Sequence, residues 1–206
     1  MPHGYPTRPS GARRATPPFA TGVSRRGPEQ HNEAMPLYAL GDKTPDIDPR
    51  AFVHPDAVII GDVQVGPESS IWPTAVLRGD HGRIVIGAQT SIQDGTVIHC
   101  TADLDTIVGD RCVVGHNAHL EGCTVHDDSL IGSGSVLLHR VEVGPHSLVG
   151  AGAVVSPGTI VPDRARALGV PAKVTEGVVA DGDFDASVQV YVRNAHWYAK
   201  DLRRLD

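Results

Sequence analysis

Aromatic residues are scarce in this sequence. Phe, Trp and Tyr together account for 4% of its 206 residues, whereas there are 23 Gly and 16 Pro. An ordinary β-sandwich would show aromatic residues alternating along its strands and hairpin turns between them, and neither pattern is present. Most apolar residues are Val, Ile, Leu and Ala. We therefore expect one domain whose core is built from aliphatic side chains.

Paired cysteines, long apolar runs and excess positive charge are also missing. The three cysteines, Cys100, Cys112 and Cys123, form no CxxC pair, which indicates reduced thiols and a cytoplasmic location. No apolar run approaches the ~18 residues that span a membrane. The formal net charge of −6 is unfavourable for binding nucleic acid. We therefore expect neither a membrane nor a nucleic acid as a partner.

The first 34 residues differ in composition from the rest of the chain. They are rich in Pro, Gly and Arg and show no periodic apolar face, which predicts a disordered N-terminal extension. A targeting role is the alternative, because Arg with little acid is typical of transit peptides. We predict a folded domain over residues 35–175, followed by a linker and a C-terminal helix over 176–206.

An aliphatic residue recurs every six positions over most of the chain, which indicates a structural repeat. The series comprises Val53, Ile59, Val65, Ile71, Leu77, Ile86, Ile92, Ile98, Val108, Val114, Leu120, Val125, Ile131, Leu137, Val143, Val149, Val155 and Val161. Small residues at fixed offsets from this series suit tight corners. A short strand and a corner every six residues wind the chain into a three-sided prism with the aliphatic residues pointing inward. Eighteen hexads predict six coils, with loops leaving the prism at residues 81–85 and 101–106.

The end of the chain has a helical pattern. Apolar residues recur at helical spacing, and Asp185 precedes them as a plausible N-cap. They are Val188, Tyr191, Val192, Ala195, Tyr198, Leu202 and Leu205. We expect this helix to pack along one outer face of the prism.

Stacking of the hexads predicts which polar side chains meet. In a three-sided prism every third hexad lies on the same face, so Arg78, His99 and Glu121 form one outward column with rungs ~4.8 Å apart. On the adjoining face Asp94 stacks against His116, and Gln93 flanks that corner. His99 and Glu121 are close enough to bind one zinc ion.

His116 projects from a different face and could reach the same ion only from a neighbouring subunit, as in a threefold trimer. Arg78 and Asp80 lie beside the ligand column and suit ion pairing at such an interface.

Two segments carry a family resemblance. "SIWPTAVLRGDHGRIVIGAQTSIQDGTVIHC" followed by "VVGHNAHLEGC" resembles the gamma-class carbonic anhydrases, from about Met35 to the C-terminal helix. The resemblance implies a left-handed parallel β-helix, a homotrimer, and a zinc between subunits held by three histidines, two of which match His99 and His116. It also implies that Arg78, Asp80 and Asp94 form an ion-pair network at the interface. Gln93 matches the family's glutamine that orients the attacking hydroxide.

The chain departs from the family pattern at the metal site. Glu121 stands where the family has its third histidine, and His81 follows the RGD element where some members have an acidic residue. Three interpretations remain open: Glu121 is the third ligand, since two His and one Glu bind zinc on other folds; His119 replaces it; or the site binds no metal.

Three functions follow from these alternatives. The first is reversible hydration of CO₂ to bicarbonate at zinc, with iron or cobalt as other metals that similar sites accept. Gln93 would orient the hydroxide, and His81 would pass the proton to buffer. The second is acyl transfer from coenzyme A, which uses the same prism with a catalytic histidine. The third is a trimeric scaffold without catalysis.

Overall fold

The computed structural model describes residues 36–205, which form a left-handed parallel β-helix of about seven turns and one C-terminal helix. The predicted fold class is therefore confirmed. The extension predicted over residues 1–34 lies outside the described residues. No helix within residues 36–205 is long and apolar enough to cross a membrane.

The β-helix has three faces, each a stack of short parallel strands. The first face contains β1 (Leu37–Tyr38), the first halves of β4 (Val58–Val65) and β6 (Val76–Ile86), β8 (Val97–His99), β11 (His119–Glu121), β14 (Val136–Leu137) and β17 (Val154–Val155). The second contains β2 (Asp46–Ile47), the second halves of β4 and β6, β9 (Thr106–Val108), β12 (Thr124–Val125), β15 (Glu142–Val143) and β18 (Ile160–Val161). Because β4 and β6 run through the corner, these two faces form one twelve-stranded sheet.

The third face is an eight-stranded sheet. It contains β3 (Phe52–Val53), β5 (Ser70–Ile71), β7 (Ser91–Ile92), β10 (Val113–Val114), β13 (Leu130–Ile131), β16 (Leu148–Val149), β19 (Arg166–Leu168) and β20 (Lys173–Thr175). The last strand, β20, runs antiparallel to β19 and lies at the C-terminal end of this sheet.

The core is the interior of the prism, as the hexad pattern predicts. All eighteen aliphatic residues of the series are at most 5% exposed. They stack in register along each face; Ile98, for example, pairs with Leu77 on one side and Leu120 on the other. Each buried Ile or Leu contributes roughly 1.5–3 kcal/mol relative to an exposed one, so the repeated aliphatic position is what holds the coils together.

Two predictions about the coils are wrong. There are about seven turns rather than six, because the rung of β1 and β2 precedes the hexad series and Ala167 takes a core position in the last rung. Residues 81–85 do not form a loop outside the sheet, since β6 continues as a strand through them. The extra residues are absorbed by a register shift against β4 after Gly61. The second interruption does contain a turn, closed by a hydrogen bond from Thr101 N to Leu104 O of 2.9 Å.

The C-terminal helix α1 (Asp185–Asp201) packs on the third face, as predicted. Its buried residues pack in two clusters against the third face. Ala195 packs with Phe52 of β3 and with Trp72, which follows β5, and Val188 and Val192 pack with Val113 of β10. The helix does not begin as the sequence suggested. Phe184 occupies the N-cap position without a side-chain cap, and Asp185 instead pairs with Arg111 of the prism. Leu202 and Leu205 lie beyond the helix and are exposed, contrary to the periodic pattern.

Candidate metal centre

The column predicted from the hexads is present on the first face. Arg78 of β6 pairs in register with His99 of β8, and His99 pairs with Glu121 of β11. Their neighbours Leu77, Ile98 and Leu120 fill the core. Since side chains alternate across a strand, the three polar side chains must point outward, one above another.

His99 lies between two carboxylates. Its Nδ1 is 2.9 Å from Oε1 of Glu121, and its Nε2 is 2.9 Å from Oδ1 of Asp80. Arg78 forms an ion pair with the same Asp80 carboxylate. The His99 ring is 17% exposed, so the arrangement is shielded from solvent but open on one side.

The two carboxylates are held in their charged form. Partial burial by itself would raise the pKa of Asp80, but hydrogen bonds from His99 and Arg78 outweigh it and lower the pKa to about 2. Partial burial would also raise the pKa of Glu121, but the hydrogen bond from His99 and the nearby imidazoles keep that pKa below its ordinary value. Because Arg78 is paired with Asp80, Glu121 supplies the negative charge that the column presents to an approaching cation.

His116 lies on a different corner, in the turn between β10 and β11. Its Nδ1 is 2.9 Å from Oδ2 of Asp94, one rung away, and both side chains are about half exposed. The predicted Asp94–His116 pair is thus present. With Nδ1 occupied, Nε2 is the nitrogen through which His116 can bind a group outside its own chain.

These residues suit a zinc ion. Zinc-binding histidines usually place their second ring nitrogen against a carboxylate, which fixes the tautomer and the ring orientation. His99 and His116 each have such a partner, Asp80 and Asp94. Two histidines and one carboxylate also form a common zinc donor set. Within residues 36–205, no three His, Cys, Asp or Glu side chains of a single chain are arranged to hold a metal.

Glu121 has two further histidine neighbours. Nε2 of His119, on the same strand, lies 3.5 Å from Oε2, and Nε2 of His139 lies 3.7 Å from Oε1. The His139 Nε2 atom is buried and has no hydrogen-bond partner among the described residues. Sequence analysis did not select His139, although the hexad count signals it. Leu137 stacks on Leu120, so the residues after Leu137 lie beside Glu121.

The two predicted catalytic residues differ in exposure. Gln93 is 4% exposed, and within residues 36–205 its side-chain amide has no hydrogen-bond partner. His81 is an exposed residue of β6 directly after Asp80, and its backbone N–H donates to Oδ1 of Asp80 at 2.9 Å. The Lys43 ammonium stabilises this part of β6 by donating to the carbonyls of Asp80 and His81 at 2.7 and 2.8 Å.

Comparisons with known proteins agree with this architecture. Residues 122–157 match the family model for the bacterial transferase hexapeptide (six repeats). The chain is 42% identical over 147 residues to the carnitine operon protein CaiE of Escherichia coli (strain K12), covering 71% of this chain and 75% of that protein. It is also 42% identical over 156 residues to gamma carbonic anhydrase 2, mitochondrial, of Arabidopsis thaliana, covering 73% of this chain but 56% of that longer protein.

Solved structures give the same result. A putative acetyltransferase from Bacillus cereus superposes with a TM-score of 0.76 at 36% identity, covering 79% of this chain and 95% of that one. A hexapeptide transferase family protein from Anaplasma phagocytophilum superposes with a TM-score of 0.75 at 32% identity, covering 80% and 98%.

Proposed function

The chain belongs to the family of hexapeptide-repeat, gamma-carbonic-anhydrase-like proteins, and from this premise we propose that it hydrates CO₂ reversibly to bicarbonate at a zinc ion shared between subunits of a homotrimer. His99 and Glu121 of one subunit and His116 of a neighbour are the proposed ligands. The observation that carries the proposal is the pairing of both histidines with aspartates, Asp80 and Asp94. Such carboxylates orient metal-binding imidazoles in other proteins.

The protein side chains have separate tasks in this proposal. Zinc, when bound, lowers the pKa of water so that hydroxide is available near neutral pH. Asp80 and Asp94 orient the two imidazoles. Gln93 donates or accepts a hydrogen bond through its unpaired amide and orients the attacking oxygen. His81, which is exposed beside Asp80, passes the released proton to buffer.

Glu121 makes this site different from one built of three histidines. Its charge reduces the net positive charge at the ligands, and a less positive centre acidifies water less strongly. We therefore expect hydration to require a higher pH than at a three-histidine site. Iron or cobalt would suit the same nitrogen and oxygen ligands, so the identity of the bound metal should be measured as well.

Stopped-flow CO₂ hydration by the zinc-loaded trimer tests the proposal. We expect catalysis that disappears on chelation and returns with zinc, and that is absent from His99→Ala. Transfer from acetyl coenzyme A to amine acceptors should be measured in parallel, because the two similar solved structures are named a putative acetyltransferase and a hexapeptide transferase family protein. Acyl transfer without CO₂ hydration would replace the proposal by the transferase alternative. If neither activity is detected, the scaffold alternative is favoured.

A further inference from the structure

Thr106 lies at the corner between the first and second faces, immediately behind the candidate metal ligands. It is the first residue of β9 and is completely buried. Its hydroxyl donates to the backbone carbonyl of His99 and accepts from the backbone N–H of Gly122 at 2.8 Å. A threonine hydroxyl has one donor hydrogen, so both its donating and its accepting function are used here.

These two bonds join the rungs that carry the candidate ligands. The carbonyl belongs to His99 itself, and the N–H belongs to the peptide group that links Glu121 to Gly122. Gly122 has a φ of 61°, a left-handed conformation that begins the corner directly after Glu121. One buried hydroxyl therefore fixes the backbone adjoining both ligands, across the gap between neighbouring coils.

We propose that Thr106 is a positioning residue, which sets the separation of His99 and Glu121 at the metal centre. The inference rests on the proposed function, since it concerns the same site. Both side chains of the ligand pair lie on the outward side of their strands, next to the core residues Ile98 and Leu120, so their spacing depends on the backbone of the two rungs. A displacement of about 1 Å at a metal site is enough to weaken it, because preorganisation within roughly 0.5 Å is needed.

The chain contains a matched control for this proposal. The hydroxyl of Thr90, 1% exposed, donates to the Gly109 carbonyl at 2.7 Å and accepts from the Cys112 N–H at 3.0 Å. Like Thr106, this buried hydroxyl donates to one backbone carbonyl and accepts from one backbone N–H at a corner of the prism, although both of its partners lie on the next coil. Neither of its partners adjoins a candidate ligand, so Thr90→Val removes a comparable structural bond without altering the metal centre.

Three variants of the full-length protein separate positioning from stability: Thr106→Val, Thr106→Ser and Thr90→Val. We expect both valine variants to lower the melting temperature by similar amounts, because each leaves a buried N–H and a buried carbonyl without the hydroxyl. Only Thr106→Val should weaken zinc binding, by about ten- to a hundredfold, the range seen for residues that support metal ligands. Thr106→Ser, which keeps the hydroxyl, should restore affinity. Zinc affinity is measured by chelator competition on protein of verified trimeric mass.

Wild-type zinc affinity in Thr106→Val, or an equal loss in Thr90→Val, would overturn the proposal. A second readout separates it from the proposed function. In metal-free protein the ¹⁵N shifts of the His99 imidazole report its hydrogen bonds to Asp80 and Glu121. They should change in Thr106→Val and stay unchanged in Thr90→Val, even if the wild-type protein binds no zinc. Unchanged shifts in Thr106→Val would contradict the positioning role independently of any metal.

Discussion

Nδ1 of His99 lies 2.9 Å from Oε1 of Glu121 on the next rung, while Nε2 of the same ring lies 2.9 Å from the carboxylate of Asp80. A neutral imidazole has one N–H and can donate to only one of the two carboxylates. The other nitrogen then faces an anion with its lone pair, which is unfavourable unless a cation or a second proton lies between them. The pair is therefore arranged to attract positive charge, which is the basis of the proposed metal centre.

Acid should destabilise the protein through Asp80. Its pKa is lowered from 3.8 to about 2. The contribution of Asp80 to the free energy of unfolding is therefore complete when the pH is above the ordinary pKa of 3.8, and it is lost as the pH falls toward 2. Asp80→Asn should be less stable than wild type at neutral pH, and the difference should shrink in acid. Urea midpoints measured between about pH 5 and pH 2 check this. The control is Asp103→Asn, which changes an exposed aspartate in the interruption of the hexad series at residues 101–106 and should retain the wild-type pH dependence.

Loss of Arg78 should weaken the trimer. Its side chain is 44% exposed beside the ligand column and neutralises Asp80, so we expect it to meet a neighbouring subunit there. Arg78→Ala should shift the mass measured by light scattering toward monomer. Arg83→Ala is a suitable control, since Arg83 is 40% exposed and pairs within the chain with Asp105 at 3.4 Å. A trimer unchanged in mass and thermal stability in Arg78→Ala would remove this assignment.

Gln93 should affect turnover more than metal binding. Gln93→Met preserves the approximate size of a side chain that is 4% exposed but removes its amide. We expect the kcat/KM for CO₂ hydration to fall by about ten- to a hundredfold, as for other residues that support a metal site. Zinc content and trimeric mass should stay at wild-type values. Full activity of this variant would show that Gln93 only fills space.

The ligand column could be predicted from the sequence because the repeat fixes the register. Once aliphatic residues every six positions are assigned to the interior, the residue after each one must point outward, and every third hexad must share a face. Arg78, His99 and Glu121 follow from that count alone. The Asp94–His116 pair follows from it as well, because both lie at the same offset in stacked hexads.

The features that sequence analysis missed depend on contacts between distant segments. Periodicity in the aliphatic residues marks residues 81–85 as an interruption, yet backbone pairing with β4 keeps them in a strand. Asp is a residue type that is common at N-caps, but the carboxylate of Asp185 forms an ion pair with Arg111, 74 positions earlier. His139 lies two residues after Leu137, so the hexad count places it near Glu121, but only the fold shows that its Nε2 atom is buried there.

Substitution of Glu121 decides which side chain is the third ligand. Glu121→Ala should lower bound zinc several-fold or more, whereas Glu121→His should retain it. The histidine variant should also hydrate CO₂ faster at neutral pH, because a neutral ligand leaves more positive charge to acidify water. His119→Ala tests the alternative ligand, whose Nε2 lies 3.5 Å from the Glu121 carboxylate. If His119→Ala empties the site while Glu121→Ala leaves it full, His119 is the ligand and Glu121 is not.

The most direct test of the shared zinc site combines two inactive subunits. His99→Ala and His116→Ala homotrimers each lack one ligand at every interface, so each should bind little zinc. Co-expressed, they should recover about a quarter of the wild-type zinc per trimer, because about three quarters of randomly assembled trimers are mixed and each of these has one complete interface. Recovery of zinc and of CO₂ hydration in that proportion is the predicted result. Zinc content in the mixture no higher than the mean of the two parents would contradict a site shared between subunits.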